Sequence, residues 1–265
     1  MLKEFNKRIK CLYLGLINTG ERPILEKKFE DIIPDHQFAY RFASRYIDGK
    51  TVLDFGCGGG YGTEFLSRFT KKIVTGFDVD SKTIRIAKKF FKKQNLYFID
   101  NKENIKKYNV ITMFQVIEHL GKYLPETLQN ISKKYLEKNG FFICSTPNKL
   151  VTSPGLKKPI MVFHEFEFTP STLQKTLKNY FSKVKIYGQL EINPKIDKSI
   201  SSRVRKKITR ILSQIEIIRI IARYLPIKFK YLLMGNLIKN TRQYKLATTE
   251  EEIKKSFTLI TLCQN

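Results

Sequence analysis

A glycine-rich turn is the strongest constraint on the fold of this 265-residue chain. It lies in the segment TVLDFGCGGGYGTEFL at residues 51–66, where an apolar, strand-like run leads through the glycines into a helical pattern. Gly56, Gly58 and Gly60 lack the Cβ atoms that would hold a ligand away from the backbone, and they permit positive φ in the turn. N–H groups at the start of the following helix favour a carboxylate or a phosphate. The segment therefore predicts a nucleotide-like ligand at the switch point of a parallel sheet.

The pattern around this turn predicts a doubly wound α/β fold. Between residues 36 and 190, short β-branched or aromatic runs alternate with longer helical stretches, as in a parallel sheet flanked by helices. The predicted strands are residues 51–55, 73–78, 96–100, 110–115, 141–146, 184–190 and 257–263. The predicted helices are residues 37–46, 62–69, 82–92, 125–136 and 170–180. We therefore expect a mostly parallel, seven-stranded sheet with helices on both faces.

A basic segment at residues 199–245 interrupts this alternation before the last strand. It contains 12 Lys or Arg residues against one acidic residue, Glu216. Its apolar residues recur at spacings of four and three, which predicts one face of an amphipathic helix that ends before Pro226 and is followed by a shorter helix. These residues are Val204, Ile208, Ile211, Ile215, Ile218, Ala222 and Leu225. The chain thus divides into an N-terminal lead (1–35), an α/β domain (36–198 and 246–265) and a basic helical insertion (199–245).

The formal net charge of +25 indicates an anionic partner, and the insertion carries +11 of it. The candidates are nucleic acid, an acidic lipid surface, or a phosphorylated or nucleotide-linked substrate. A Lys-rich and Ile-rich proteome would give the same excess without any such partner. The apolar face of the insertion, combined with its charge, predicts peripheral contact with a membrane. Covering of the active site, or packing on a second subunit, is the alternative use of that face.

The predicted location of the chain is the cytoplasm, and contact with the inner face of the membrane is compatible with it. There is no run of eighteen apolar residues, and the stretch CLYLGLI near the N-terminus is too short for a signal peptide. The four cysteines, Cys11, Cys57, Cys144 and Cys263, form no CxxC pair. They are therefore expected to be reduced thiols and not a disulfide framework or a zinc site.

The spacing of the glycines narrows the choice of nucleotide. A dinucleotide fingerprint, G-x-G-x-x-G, would need a glycine where Tyr61 stands. The chain instead has G-x-G-x-G, with an acidic residue two positions ahead of it. This segment resembles motif I of the class I, Rossmann-like S-adenosylmethionine-dependent methyltransferases. The resemblance implies S-adenosylmethionine as cofactor and, as residues of its site, Asp54, Gly56, Cys57, Gly58 and Gly60.

Further segments match the same family in chain order. Asp78, in GFDVD, stands where the family acid holds both ribose hydroxyls, and Asp100 matches the acid near the adenine amino group. A lone Asp after a strand can also be a helix N-cap. In VITMFQVIEHL, Phe114 and Gln115 fall where the family closes the pocket over the cofactor, and the segment ends in the family's E-H-L signature. FFICSTPN resembles the strand that ends near the substrate.

Histidines are the candidates for acid–base chemistry. In such a transfer the enzyme mainly orients a nucleophile, and a hydroxyl acceptor benefits from a general base near neutral pH. His164, in the loop HEFEFTPSTLQ, and His119 are the predicted catalytic residues, with loop-fixing hydrogen bonds as the alternative for both and for His36. The N-terminal lead resembles methyltransferases encoded with bacterial surface-polysaccharide glycosyltransferases.

These features predict O-methylation of a sugar, a lipid-linked glycan or another small molecule. An RNA methyltransferase that binds phosphates through the insertion is one alternative. A cofactor-binding module without catalysis is another. Gln115-Val116-Ile117 stands where amino-methylating enzymes of nucleic acids carry an (N/D)PPY box, and none of the cysteines follows a proline, as the cytosine C5 enzymes commonly require.

Overall fold

The structure is a computed structural model, and it describes residues 29–32, 34–192, 194, 207–218, 220 and 242–265. Most of the N-terminal lead, including Cys11, lies outside the described residues. The same holds for the larger part of the basic insertion, including Val204, Ala222, Leu225 and Pro226.

An eight-stranded sheet forms the centre of the described structure, with strand order β3-β2-β1-β4-β5-β8-β6-β7. The first five strands pair in parallel, and β6, β7 and β8 join the sheet antiparallel. The strands are β1 Val52–Phe55, β2 Val74–Phe77, β3 Leu96–Ile99, β4 Tyr108–Phe114, β5 Leu136–Pro147, β6 Lys183–Ile192, β7 Gln243–Ala247 and β8 Thr258–Gln264. The strand order reverses between β1 and β4, where an α/β sheet binds its ligands. The mostly parallel α/β sheet is confirmed.

Outside the basic insertion, seven helices of the described residues flank these strands, one ahead of β1 and six between strands. They are α1 Pro34–Ala43, α2 Tyr61–Leu66, α3 Ser81–Phe90, α4 Leu124–Asn130, α5 Lys149–Thr152, α6 Pro170–Lys178 and α7 Glu250–Lys255. Four of them begin at side-chain caps. Asp80 accepts the N–H of Lys82 and Thr83, Asn148 that of Leu150 and Thr249 that of Glu252, and Thr169 forms a capping box with Thr172. Short α5 and α7 have no counterpart in the sequence prediction.

Helices cover both faces of the sheet because the buried strands alternate their side chains between two cores. Val52 packs with Ala39 and Ile84, from α1 and α3, on one face. The next residue, Leu53, packs with Leu128 and Leu173, from α4 and α6, on the other. Asp54 follows in the alternation and returns to the α1 face, which places its carboxylate under the glycine-rich turn.

The expectation of seven strands was wrong, because β7 adds an eighth. Three residues of β7, Gln243–Lys245, fall in the segment assigned to the basic insertion. This strand pairs only with β6 and alternates exposed and half-buried residues. Charged, polar edge strands of this kind avoid pairing with other chains, and they give little apolar signal in a sequence.

The described part of the basic insertion is helical at residues 207–212 and again at 216–218, with a turn between them. The prediction of one continuous helical face is therefore wrong at Ser213. A long-range contact accompanies the break: the Gln214 side chain exchanges two hydrogen bonds of 3.1 Å with the backbone of Lys158. Arg210 also donates to the carbonyl of Pro154 at 2.8 Å. The insertion is thus tied to the loop that follows α5.

Several isoleucines of this segment are exposed: Ile208, Ile211, Ile215, Ile217 and Ile220. Within the part of the chain that the structure describes, no helix has both the length and the apolar character to cross a bilayer.

Candidate active site

The glycine-rich turn leaves β1 at the carboxyl edge of the parallel strands. Gly56, Gly58 and Gly60 all have positive φ, at 83°, 52° and 86°. A Cβ atom on Gly56 would lie 2.4 Å from Cγ2 of Val116, so the turn packs directly on the segment after β4. A Cβ atom on Gly58 would meet nothing within 4 Å, which means that open space borders the backbone there. The turn therefore offers a ligand close access to its backbone.

Asp54 lies beneath this turn. Its side chain is 1% exposed and accepts hydrogen bonds from three hydroxyls: Tyr40 at 3.1 Å, Thr63 at 2.7 Å and Thr112 at 2.8 Å. These donors come from α1, α2 and β4. The carboxylate thus joins three elements and holds the turn from below. Its direct contact with a cofactor stays a prediction.

Burial raises the pKa of the Asp54 carboxyl from 3.8 to about 6, because lost solvation outweighs the three hydroxyl donors. Between about pH 4 and pH 6 the folded chain therefore holds a proton that the unfolded chain has released. This contribution to stability is present below about pH 4 and is lost as the pH rises through 6.

We compare the free energy of unfolding of wild type with that of the non-titrating variant Asp54→Asn. As the pH rises from about 4 to about 8, the difference between the two proteins should shift by about 3 kcal/mol in favour of the variant. Urea unfolding of both proteins across this range measures the difference. His36, whose pKa burial lowers to about 4, titrates in both proteins and cancels. A difference that stays constant with pH would contradict the raised pKa.

Asp78 follows β2 and contacts the turn directly. One carboxylate oxygen accepts the N–H of Gly58 at 2.9 Å, and the other accepts the N–H of Asp80 at 3.0 Å. A carboxylate oxygen can accept two hydrogen bonds, so these contacts are compatible with additional hydroxyl donors. Asp100 is exposed just after β3, at the same edge of the sheet. The arrangement fits an adenosine moiety along the carboxyl ends of β1, β2 and β3.

Phe114 ends β4, and Gln115 follows it directly before Val116, on which the glycine-rich turn packs. Phe114 packs edge-on against Tyr40, with ring centroids 4.8 Å apart. Gln115 has φ of 55°, which is unusual for a residue other than glycine. Its backbone N–H bonds the carbonyl of Ser145 at 3.0 Å, and its side chain donates to the Ser145 hydroxyl at 3.2 Å. Such local strain, held by neighbouring contacts, is concentrated at functional sites. Cys57 is buried in the turn as a reduced cysteine.

Two of the three histidines lie together. The ring centroids of His119 and His164 are 5.1 Å apart. Nδ1 of His119 donates to the carbonyl of Phe163 at 3.0 Å, because a carbonyl can only accept. Nδ1 of His164 lies 2.9 Å from the Glu167 carboxylate. Glu118 is buried beside them and accepts the Thr146 hydroxyl at 3.0 Å.

Glu167 orients His164. Burial alone would raise the pKa of Glu167, but hydrogen bonds from His164, Thr152 and Ser153 lower it below its usual range. The carboxylate is therefore ionised near neutral pH and accepts a hydrogen bond from the Nδ1–H group of His164. The lone pair of the imidazole then lies on Nε2. His36 is not part of this cluster; its Nδ1 lies 2.8 Å from the Tyr61 hydroxyl, beside the glycine-rich turn.

Sequence reasoning missed several of these groups. Thr63 and Thr112 are ordinary residues in the sequence, and only folding brings them to Asp54. Glu167 had a local signal, because it stands three residues after His164 in HEFEF. The strained backbone of Gln115 had none.

Comparison with known proteins extends these observations. The family described as "Methyltransferase domain" matches residues 28–191. A probable S-adenosylmethionine-dependent methyltransferase of Mycolicibacterium smegmatis is 29% identical over 166 residues, which are 60% of this chain and 63% of that protein. A ubiquinone biosynthesis O-methyltransferase of Pelagibacter ubique is 34% identical over 131 residues, 47% of this chain and 52% of the relative. Both matches span less than two thirds of the relative.

Among solved structures, the YcgJ protein of Bacillus subtilis matches 87% of this chain and 99% of its own, with a TM-score of 0.54 and 13% identity. At this identity the match shows the α/β fold alone.

Proposed function

The chain belongs to the methyltransferase-domain family, and from this premise we propose that it transfers a methyl group from S-adenosylmethionine to an oxygen atom of a sugar, a lipid-linked glycan or another small molecule. One observation carries the proposal. The glycine-rich turn, which contacts Asp78, packs through Gly56 on Val116, two residues before Glu118. A cofactor pocket and a cluster of proton-accepting side chains therefore adjoin at one edge of the sheet.

S-adenosylmethionine, when bound, supplies a methyl group that is already activated on a sulfonium. The chain would hold it with the turn at Gly58, with Asp78 on the ribose hydroxyls and Asp100 near the adenine. Phe114 and Gln115 border the pocket. Orientation of an acceptor toward the methyl group is worth on the order of 7–11 kcal/mol. Nε2 of His164, oriented by Glu167, is the group that accepts the hydroxyl proton in the absence of a metal ion.

An oxygen acceptor is favoured by the histidine pair. A hydroxyl must lose its proton as it is methylated, and His164 with a buried carboxylate partner suits that task. Similarity to proteins named as ubiquinone biosynthesis O-methyltransferases supports the same class.

A lipid-linked acceptor is favoured by the basic insertion. Arg210 and Gln214 tie this segment to the loop between Pro154 and Lys158, which leads to His164. Cationic residues and exposed isoleucines near the acceptor side suit an anionic membrane surface, where each basic residue contributes about 1 kcal/mol.

Transfer of labelled methyl groups into cell-extract fractions tests the proposal. The purified chain is incubated with S-adenosylmethionine that carries a labelled methyl group and with separated lipid, water-soluble and RNA fractions. We expect label in the lipid or the water-soluble fraction, with the lipid fraction favouring the membrane contact. Label confined to RNA would replace the proposal with RNA methylation, and no transfer to any fraction would indicate a module without catalysis.

A further inference from the structure

Three potential metal ligands come together where the loop before α6 meets the 3-10 turn Ile117–His119 that follows β4. One ligand atom from each of Glu118, His119 and His164 lies within 4.8 Å of the other two. In a metal site with bonds of about 2.0–2.2 Å, neighbouring ligand atoms lie roughly 3–4 Å apart. The three atoms therefore need to approach one another by about 1 Å to reach that geometry.

The hydrogen bonds of the two histidines are those of metal ligands. A metal-binding imidazole typically donates its second ring N–H to a carbonyl or a carboxylate, which fixes the ring and its tautomer. Nδ1 of His119 contacts the Phe163 carbonyl, and Nδ1 of His164 contacts the Glu167 carboxylate. Both rings thus carry the lone pair on Nε2. Glu118 is oriented in the same manner by the Thr146 hydroxyl.

The location of the cluster suits an ion that acts on a substrate. Glu118 and His164 are buried, whereas His119 is exposed, so one side of the cluster is open. Three protein ligands leave coordination positions for water or an acceptor oxygen, as in catalytic metal sites. Two imidazoles and one carboxylate suit Zn²⁺, Mn²⁺, Fe²⁺ or Co²⁺ better than Ca²⁺ or Mg²⁺.

We propose that Glu118, His119 and His164 bind a divalent transition-metal ion. The role of this ion rests on the proposed function: it orients the acceptor and lowers the pKa of its hydroxyl, whose proton then leaves to solvent. His164 is then a ligand, and the cation performs the task that the metal-free chain assigns to this residue as a base. Binding of the ion itself does not depend on methyl transfer.

Titration of the chelator-treated, full-length chain with Co²⁺ tests the site. Absorption of bound Co²⁺ and calorimetry give the stoichiometry and the affinity, and Zn²⁺ is added as competitor. We expect one equivalent to bind, and His119→Ala and His164→Ala to weaken binding at least tenfold. Glu167→Gln, which alters the positioning of His164 without removing a ligand, should weaken it by about 10–100-fold. Glu165→Gln is the matched control, because it removes a neighbouring carboxylate outside the cluster and should leave the affinity unchanged.

Binding of S-adenosylhomocysteine by each variant verifies that it is folded. The metal site would be overturned if wild type did not bind Co²⁺, or if His119→Ala and His164→Ala bound it as tightly as wild type. The cluster would then be a set of hydrogen bonds that fixes the loop. Metal binding by a chain that transfers no methyl group would instead overturn the proposed function alone.

Discussion

Asp78→Asn should weaken the affinity for S-adenosylhomocysteine by on the order of 100-fold. Asp78 is 4% exposed and holds the backbone of Gly58 at 2.9 Å, so its carboxylate belongs to the turn that would cradle the cofactor. Hydrogen bonds to a charged group contribute about 1.5–3 kcal/mol each. The amide keeps the shape but loses the charge and one acceptor, which removes at least one such bond to the ribose and weakens a second.

Isothermal titration calorimetry measures this affinity. Asp100→Asn is the matched control, because Asp100 is an exposed carboxylate at the end of the neighbouring strand. Its expected contact is a single hydrogen bond, and the expected loss is about tenfold. Thermal unfolding of both variants shows whether the fold is retained. An Asp78→Asn chain that bound within threefold of wild type would exclude the ribose role of this carboxylate.

Gly62→Ala should lower the free energy of unfolding by about 3 kcal/mol. A Cβ atom at this place in α2 would lie 1.9–2.3 Å from three atoms of the Tyr40 ring. Tyr40 is 3% exposed and donates to the buried Asp54 carboxylate, so the ring cannot move without losing that bond. Overpacking costs about 1–3 kcal/mol and the lost bond about 1.5–3 kcal/mol, while the helix preference of Ala returns at most about 1 kcal/mol.

Urea unfolding at pH 7 measures the change. Tyr40→Phe isolates the part that is due to the hydrogen bond, because the ring remains. Gly155→Ala is the control for an added methyl group without a clash, because a Cβ atom there would meet nothing within 4 Å; unlike Gly62, Gly155 has a positive φ, of 71°. Its expected cost is only about 1 kcal/mol. A Gly62→Ala chain as stable as wild type would show that the packing of the Tyr40 ring on α2 does not stabilise the protein.

The sequence located the glycine-rich turn and the acids beside it, and their contact with the cofactor stays a prediction. The glycine spacing, Asp54 and Asp78 are local features that follow directly after strands, and parallel strands bring such positions to one edge. The grouping of the two histidines could not be predicted from the sequence. His119 and His164 are 45 residues apart in the chain, and their proximity depends on how the loop after α5 folds over the 3-10 turn Ile117–His119.

The sequence predictions that failed share a physical cause. The edge strand β7 has a polar, charged pattern, and the helical periodicity of the basic insertion continues through Ser213, where Gln214 instead bonds the backbone of Lys158. In both places a long-range contact decides the local structure. Periodicity reports only which residues share a face if an element continues, and it contains no information on a distant partner that ends the element.

The amino-acid sequence by itself therefore determined the α/β class, the turn with positive φ at Gly56, Gly58 and Gly60, and the acids that follow the parallel strands. The tertiary structure alone decided that Asp54 lies beneath the turn among three hydroxyls, and that Glu118, His119 and His164 converge. The reason is that glycine conformation and strand periodicity are properties of neighbouring residues, whereas desolvation and the approach of ligand atoms arise only when distant segments pack together.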